Sequence, residues 1–160
     1  MSTAPTVHMP NILVKIPADT FDGDARTALA RRITHAAAQA EQIADDPRSR
    51  ATTWVVIEEA PAGAWWCGGT DMSAHIVPCL AIAHVPAGVL DAAARALFVH
   101  QMHEAFAQML PAADGRRVVT SVMLRDVADG TWGVNGALWA LPDFVRAAGY
   151  AHLQHLVAQP

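Results

Sequence analysis

The apolar positions follow the same order twice along the chain: a short β-rich stretch, a long stretch with helical spacing, and a β-branched stretch. This order predicts strand, helix and strand in each half. Asp22 or Asp24 is suited to cap the first helix, and the segment from Val89 to Asp91 to open the second. The predicted elements are the strands Asn11–Ile16, Thr53–Glu59, Cys79–His84 and Val118–Asp126 and the helices Ala25–Ala44 and Asp91–Leu110.

A sequence repeat supports this duplication. Val55–Gly69 aligns without a gap with Val122–Gly136 at an offset of 67, which superposes Trp65 on Trp132. The upstream segments, which begin at Pro10 and Pro78, match with one residue of slack, so these prolines would open equivalent strands. Each unit is expected to form a right-handed βαβ crossover with parallel strands. Two tandem βαβ units predict an α/β fold, a four-stranded sheet with two helices on one face.

We predict one domain over residues 10–160, with unit one at 10–70, unit two at 77–136 and a C-terminal tail at 137–160. The tail has no counterpart in unit one and should contain a short helix. Residues 45–50 and 111–117 are expected to be polar helix-to-strand loops. Residues 1–9 are interpreted as a leader or disordered tail without the features of a signal peptide, which predicts a cytoplasmic protein.

The composition limits the kinds of molecule with which this protein is expected to interact. Hydrophobic residues make up 52% and charged residues 16%, so the sheet face without helices is expected to be covered by other subunits. The longest apolar stretches are shorter than the roughly 20 residues of a membrane helix. A net charge of -4 with one lysine disfavours nucleic acid as a partner.

The order of these motifs resembles the tautomerase superfamily, specifically the fused two-unit relatives of 4-oxalocrotonate tautomerase (4-OT). It is carried by MPNILVKIP (Met9–Pro17), LARRITHAAAQA (Leu29–Ala40) and the two glycine and tryptophan segments of the repeat. The resemblance covers about residues 10 to 136. It implies a homotrimer and an isomerase that tautomerises enols, dienols or unsaturated acids without cofactor or metal. It also implies that Pro10, exposed as the amino terminus, is the catalytic base.

The chemistry of Pro10 depends on the bond to Met9. A terminal amine has a reference pKa near ~7.7–8.0, and burial lowers that pKa, which gives a base suited to neutral pH. A proline that remains attached to Met9 is a tertiary amide and has no basic lone pair. Pro10 is then an ordinary proline at the first position of a strand.

The chain departs from the arginine pattern of the superfamily. The resemblance places Thr20 or Phe21, and Trp54, at the arginine positions of unit one, and Gly88 or Val89, and Ser121, at those of unit two. Without such cations a dicarboxylate is held less well, which favours a less charged or aromatic ligand. The candidate substrate-binding residues are Trp54, Trp65, Trp132, Lys15, His84 and Arg125.

Two alternatives stay open: a protein of this fold without proline catalysis, serving as a small-ligand binder or oligomeric scaffold, and a cofactor-free dehalogenase, hydratase or decarboxylase.

Other polar residues are interpreted structurally. The histidine pairs lack an evident third zinc ligand, and Cys67 lacks an evident activating partner. Glu58 and Arg125, and Glu59 and Asp126, occupy equal repeat positions and are expected to form ion pairs across units or subunits. The histidine pairs are His100 with His103 and His152 with His155.

Overall fold

Four strands form one mixed sheet in the computed structural model, which describes residues 10–158. The interpretation of residues 1–9 as a leader lies outside the described residues. The elements are β1 (Asn11–Pro17), α1 (Gly23–Glu41), α2 (Pro47–Arg50), β2 (Trp54–Ala60), β3 (Ile76–Pro86), α3 (Ala92–Ala107), β4 (Arg117–Val127), β5 (Trp132–Val134), β6 (Ala137–Trp139), α4 (Leu141–Ala148) and a 3₁₀ helix (Ala151–Leu156).

The sheet confirms the predicted fold class. Its strand order is β2-β1-β3-β4, with β1 parallel to β2 and β3 parallel to β4. The two units meet through the antiparallel pair of β1 and β3, in which Leu13 lies opposite Ile82. The beginning of β1 therefore lies at the same end of the sheet as the end of β3.

Both long helices begin at an aspartate that satisfies an otherwise free backbone donor. Asp22 accepts a hydrogen bond from the Ala25 amide at 2.7 Å, and Asp91 accepts one from the Ala94 amide at 2.8 Å. The helix α1 ends earlier than predicted because Gln42 adopts a left-handed conformation with φ of 54°. The two helices pack on one face of the sheet, where the core includes Ile12, Val14, Ile16, Leu29, Ile33, Phe98, Met102 and Phe106.

The opposite face of the sheet is open to solvent in one chain. Strand alternation directs a second set of apolar side chains to this face. Leu13, Val56 and Met123 are 42%, 44% and 38% exposed there. Within residues 10–158, no element covers this open sheet face, so a large apolar area is exposed.

The connections add two features to the predicted pattern. The segment 45–50, predicted as a loop, contains the helical turn α2, because Asp46 accepts hydrogen bonds from the Ser49 amide and hydroxyl. The tail contains the predicted short helix, α4, and adds the strand β6 and a 3₁₀ helix. Phe144, Val145 and Tyr150 of the tail are buried, so it belongs to the hydrophobic core.

An ion pair between strand and helix recurs in each unit. Arg26 lies 3.1 Å from Glu59 in unit one, and Arg95 lies 2.7 Å from Asp126 in unit two. Glu58 pairs with Lys15 at 3.3 Å, again inside unit one. Within one chain, Glu58, Glu59 and Asp126 therefore pair inside their own units and not across the two units. Ion pairs across subunits stay a prediction.

The register also changes the prediction for Pro78. The helix caps Asp22 and Asp91 lie 69 positions apart, and so do the strand-closing prolines Pro17 and Pro86. The same offset places Cys79 at the position equivalent to Pro10. Both Pro10 and Cys79 are buried, whereas Pro78 is half-buried and pairs with Val119 inside β3. The predicted equivalence of Pro10 and Pro78 is wrong by one residue, which reverses the face that the side chain occupies.

Candidate functional site

Pro10 is held at the end of the sheet where β1 and β2 begin. Its carbonyl accepts a hydrogen bond from the Trp54 amide at 2.8 Å, and the residue is buried. The next residue, Asn11, lies opposite His84 in the antiparallel pair and beside Trp54 in the parallel pair. The register therefore gathers a proline, an amide, an imidazole and an indole at one sheet end.

A groove of about 450 Å³ opens at this end, and we call it the Pro10-end pocket. Most of its wall is apolar, which is typical of small-molecule sites in which a few polar groups set the orientation. Asn11 and His84 supply the polar groups. The lining includes Asn11, Leu13, Trp54, Val56, His84 and Trp132.

Trp132 reaches the Pro10-end pocket because the tail fixes its hairpin. The strands β5 and β6 pair Trp132 with Trp139, and the ring of Phe144 in α4 lies 5.5 Å from the first and 5.2 Å from the second. The Leu141 amide donates to Asp129 at 2.8 Å, which joins the start of α4 to the hairpin. Aromatic contacts of this kind restrict a side chain beyond simple burial.

Asn11 is a polar residue of the pocket that the sequence reasoning missed. Its Oδ1 atom is buried and has no hydrogen-bond partner among residues 10–158. A buried acceptor without a partner is costly, so it favours a ligand donor at that position. The signal available in the sequence was a polar residue at the start of β1, on the same phase as Leu13.

The predicted substrate-binding residues divide between the two ends of the sheet. Trp54, Trp132 and His84 line the Pro10-end pocket. Lys15 and Trp65 line another groove of about 600 Å³ at the opposite end.

Arg125 pairs with His84 in the β3–β4 register and is exposed on β4. It therefore lies near the Pro10 end.

The positions that carry arginine in the superfamily have other side chains and different environments. Phe21 and Val89 are buried at 2% and 1% exposure, so neither faces a solvent-filled site. Thr20 is half-buried, and Ser121 is exposed on the edge strand β4. The fold therefore has no guanidinium at these positions with which to clamp a dicarboxylate.

One histidine of each predicted pair has a structural partner. The Nδ1 atom of His103 lies 3.0 Å from the Thr120 hydroxyl, and the Nε2 atom of His152 donates to the Val89 carbonyl at 2.8 Å. Within residues 10–158, no cluster of three or more histidine, cysteine, aspartate or glutamate side chains is arranged to hold a metal ion. Burial raises the pKa of the Cys79 thiol to about 12, which keeps it protonated at neutral pH.

None of the helices in the described part of the chain combines the length and apolar character needed to cross a bilayer.

Comparisons with solved structures show the same fold in fused two-unit proteins. The F6 fused 4-OT wild-type asymmetric trimer is 23% identical with a TM-score of 0.63, over 81% of this chain and 95% of that chain. Pt0534 inactivated by 2-oxo-3-pentynoate is 14% identical with a TM-score of 0.65, over 82% and 97%. N1, a member of the cis-3-chloroacrylic acid dehalogenase family, is 18% identical with a TM-score of 0.64, over 94% and 93%.

No protein-family profile matches the sequence, and no curated protein matches it. The structural likeness confirms the resemblance at the level of the fold. The chain has the tautomerase-superfamily fold in its fused form, two tandem βαβ units in one polypeptide.

Proposed function

We propose that this protein is a cofactor-independent isomerase of the tautomerase type, with Pro10 as its general base. The observation that carries the proposal is that Pro10 is buried at the start of β1, directly before Asn11, which lines an apolar pocket with two tryptophans. A fold by itself does not define an activity, so the argument rests on this pocket. The proposed substrate is a small enol, dienol or unsaturated acid.

The proposed mechanism requires a mature chain that begins at Pro10. Burial against apolar walls disfavours the cation of a free secondary amine and lowers its pKa. The amine then takes the proton of the substrate enol hydroxyl while the oxygen forms a carbonyl double bond. The electron pair of the carbon–carbon double bond takes a proton at carbon, delivered by the prolinium cation. Substrate and product are isomers, and Pro10 returns to the neutral amine.

The proposed roles of the other residues follow from the pocket. Trp54 and Trp132 form aromatic walls, and Asn11 and His84 supply hydrogen-bonding groups on adjacent strands. Arg125, next to His84 in the register, is proposed to anchor one carboxylate. A substrate with one aromatic ring and one carboxylate fits this set better than a dicarboxylate.

We propose a homotrimer as the working assembly. The open sheet face exposes Leu13, Val56 and Met123, and apolar patches of this kind mark contact surfaces between proteins. Several of the similar structures are described as fused 4-OT trimers, some asymmetric and some symmetric. Lys15 and Trp65, which lie at the opposite sheet end from Pro10, would then join a Pro10 site only as residues of a neighbouring subunit.

The alternative is a protein of the same fold that binds a small aromatic ligand without proline catalysis. The absence of arginine at the superfamily positions favours this alternative. Those positions are Thr20 or Phe21 and Trp54 in unit one, and Gly88 or Val89 and Ser121 in unit two. The amide that Pro10 forms in any chain that keeps Met9 also favours it. In that case the pocket binds an aromatic molecule and leaves it unchanged.

Covalent labelling tests whether Pro10 is a nucleophilic amine. A free amine adds to the triple bond of 2-oxo-3-pentynoate, a compound that inactivated the structurally similar Pt0534. Protein that begins at Pro10 is expected to take up one reagent on the Pro10 peptide, found by tandem mass spectrometry, with loss of activity at the same rate. Labelling elsewhere, or none, would contradict the proposal. The matched control is a Pro10→Ala chain, in which a primary amine replaces the secondary amine and activity is expected to be low before labelling.

A further inference from the structure

The sheet end opposite Pro10 contains, besides the groove that Lys15 lines, a smaller and more enclosed cavity, which we call the Trp65 cavity. Its volume is about 170 Å³. It lies where β1 and β2 end and where β3 and β4 begin. The walls that matter here are formed by Thr20, Trp65, Cys67, Ile76, Pro78 and Arg116.

The Trp65 cavity exists because the two units differ after their second strands. In unit two, α4 packs onto the hairpin through the contact of Phe144 with Trp132. Leu141 at the start of α4 also lies close to Gly88: a Cβ atom added to Gly88 would be 3.3 Å from the Leu141 side chain. In unit one, the segment 61–75 forms one isolated bridge, between Cys67 and Thr70, and leads directly into β3. The space that the tail fills in unit two is therefore a cavity in unit one.

None of the described residues that line the Trp65 cavity supplies a group for proline chemistry. Pro78 lines it, but its nitrogen is the amide that follows Val77 within β3. An amide nitrogen has no basic lone pair to take a proton. A molecule in this cavity can therefore be bound but not tautomerised by the mechanism proposed for Pro10.

The charges around the cavity disfavour an anionic ligand. The Arg116 guanidinium is held by Asp114, through bonds of 2.9 Å from Nε and 2.7 Å from Nη2. Its third nitrogen, Nη1, lies 3.4 Å from the Ser73 carbonyl. The carboxylate of Asp71 at the rim accepts a bond from the Ser73 amide at 2.9 Å, which lowers the pKa of Asp71 and keeps it ionised. With the arginine already neutralised, an anion would meet a net negative rim.

We infer that the Trp65 cavity is a second, non-catalytic binding site for a small uncharged aromatic molecule of about the size of phenol. Its volume of about 170 Å³ is close to the roughly 150 Å³ of a protein cavity that binds benzene. The Trp65 indole and the apolar side chains of Ile76 and Pro78 suit a ring, and Thr20 supplies a hydroxyl for one polar substituent. This inference does not rest on the function proposed for Pro10, which lies at the other sheet end.

The chain carries its own reporter for this site. Cys67 lines the Trp65 cavity and is half-buried, whereas Cys79 is buried with a pKa of about 12 and should not react at neutral pH. The full-length protein is treated with a thiol reagent such as dithiobisnitrobenzoate at increasing phenol concentrations, and Cys67→Ser confirms which thiol reacts. Phenol is expected to slow the modification by at least about tenfold at saturation, because a bound ring blocks access to Cys67. Benzoate, which adds a negative charge, is expected to give no protection at the same concentrations.

Matched variants show whether phenol protects Cys67 by binding in the Trp65 cavity or by a general effect on the protein. Trp65→Ala is expected to lose the protection by phenol, while Trp54→Ala, at the opposite sheet end, keeps it. Ala60→Leu places a larger side chain at the cavity wall and should abolish phenol binding without removing any core contact. Circular dichroism checks that each variant is folded.

Calorimetric titration of phenol gives the same answer independently of thiol reactivity. One saturable site that is lost in Ala60→Leu is expected. The inference would be overturned if phenol protected Cys67 without saturating, or if benzoate protected Cys67 equally well. Unchanged phenol binding in folded Ala60→Leu would overturn it too. None of these outcomes changes the labelling expected at Pro10, so failure here is distinguishable from failure of the proposed catalysis.

Discussion

The indole of Trp132 packs against the ring of Phe144, with centroids 5.5 Å apart and planes inclined by 55°. Phe144 is buried in α4, so a helix outside the repeat sets the orientation of a pocket wall. We predict that Phe144→Leu raises the KM for an aromatic enol severalfold with a smaller change in kcat, because the wall loosens without altering Pro10. The lost packing should also lower the free energy of unfolding by about 1–2 kcal/mol.

Phe106→Leu is the matched control for Phe144→Leu. Phe106 is fully buried in α3 and belongs to the same core. It should lower the free energy of unfolding by a similar amount and leave KM unchanged. Equal effects of both substitutions on KM would show that Phe144 acts only through general stability.

The buried carboxyl of Glu41 predicts a pH-dependent stability. Burial is the main cause that raises the pKa of Glu41 well above its ordinary value, and the Tyr150 hydroxyl, which donates to it at 3.3 Å, offsets this only partly. Above the unfolded-state pKa of about 4.3, the folded state binds the extra proton, so stability falls as pH rises toward the raised pKa. The slope approaches about 1.4 kcal/mol per pH unit within that window. Urea unfolding between pH 4 and pH 8 measures it.

Glu41→Gln removes this titration while it keeps the shape of the side chain. The variant should match the wild type near pH 4 and become more stable than it as pH rises to 8. Tyr150→Phe, which removes the hydrogen bond but keeps the buried carboxyl, should retain the slope. A wild-type profile that is flat between pH 5 and pH 8 would contradict the protonated state of Glu41.

The two strand–helix ion pairs are expected to contribute unequally to the free energy of unfolding. Both carboxylate oxygens of Asp126 accept from Arg95 Nη2, at 2.8 and 2.7 Å, whereas Arg26 makes one contact of 3.1 Å with Glu59. Arg95→Met should therefore lower the free energy of unfolding by about 0.5–1 kcal/mol and Arg26→Met by less, in the range usual for partly exposed pairs. Urea unfolding at low and high salt measures both. An effect of Arg95→Met that does not shrink in 1 M salt would assign it to packing of the arginine stem.

The hydrophobic pattern predicted the four strands and two long helices, because alternation and helical spacing report which face of each element is buried. Aligning the two prolines gave a register that is wrong by one residue. Pro78 is the same residue type as Pro10, but the helix caps and the strand ends match at an offset of 69. The tail was not predicted to shape the site. Phe144 reaches Trp132 only through tertiary packing, which no local pattern encodes. For the same reason, the sequence did not separate Trp65 from Trp132.

A charge on the open sheet face is expected to disrupt the proposed trimer. Met123 is 38% exposed on β4 in one chain and would be buried between subunits. Met123→Asp would leave an unpaired carboxylate in that interface, which costs several kcal/mol per subunit, so the mass at micromolar concentration should fall from trimer to monomer. Light scattering after size-exclusion chromatography measures it.

Leu97→Asp is the control for the trimer prediction, because Leu97 is 42% exposed on α3, away from the open sheet face. It should leave the mass of the wild-type assembly unchanged. A monomeric wild-type protein, or equal dissociation by both substitutions, would contradict the assignment of the open sheet face as the subunit interface.

The most direct test of the central claim compares two chains that differ at one peptide bond. One begins at Pro10, and the other begins at Met9, so that the Pro10 nitrogen is an amide. Ketonisation of phenylenolpyruvate, followed by absorbance, should be faster in the first chain by about 100- to 10,000-fold in kcat/KM, the usual contribution of a positioned general base. Equal rates in the two folded chains would show that the Pro10 amine is not the catalytic base.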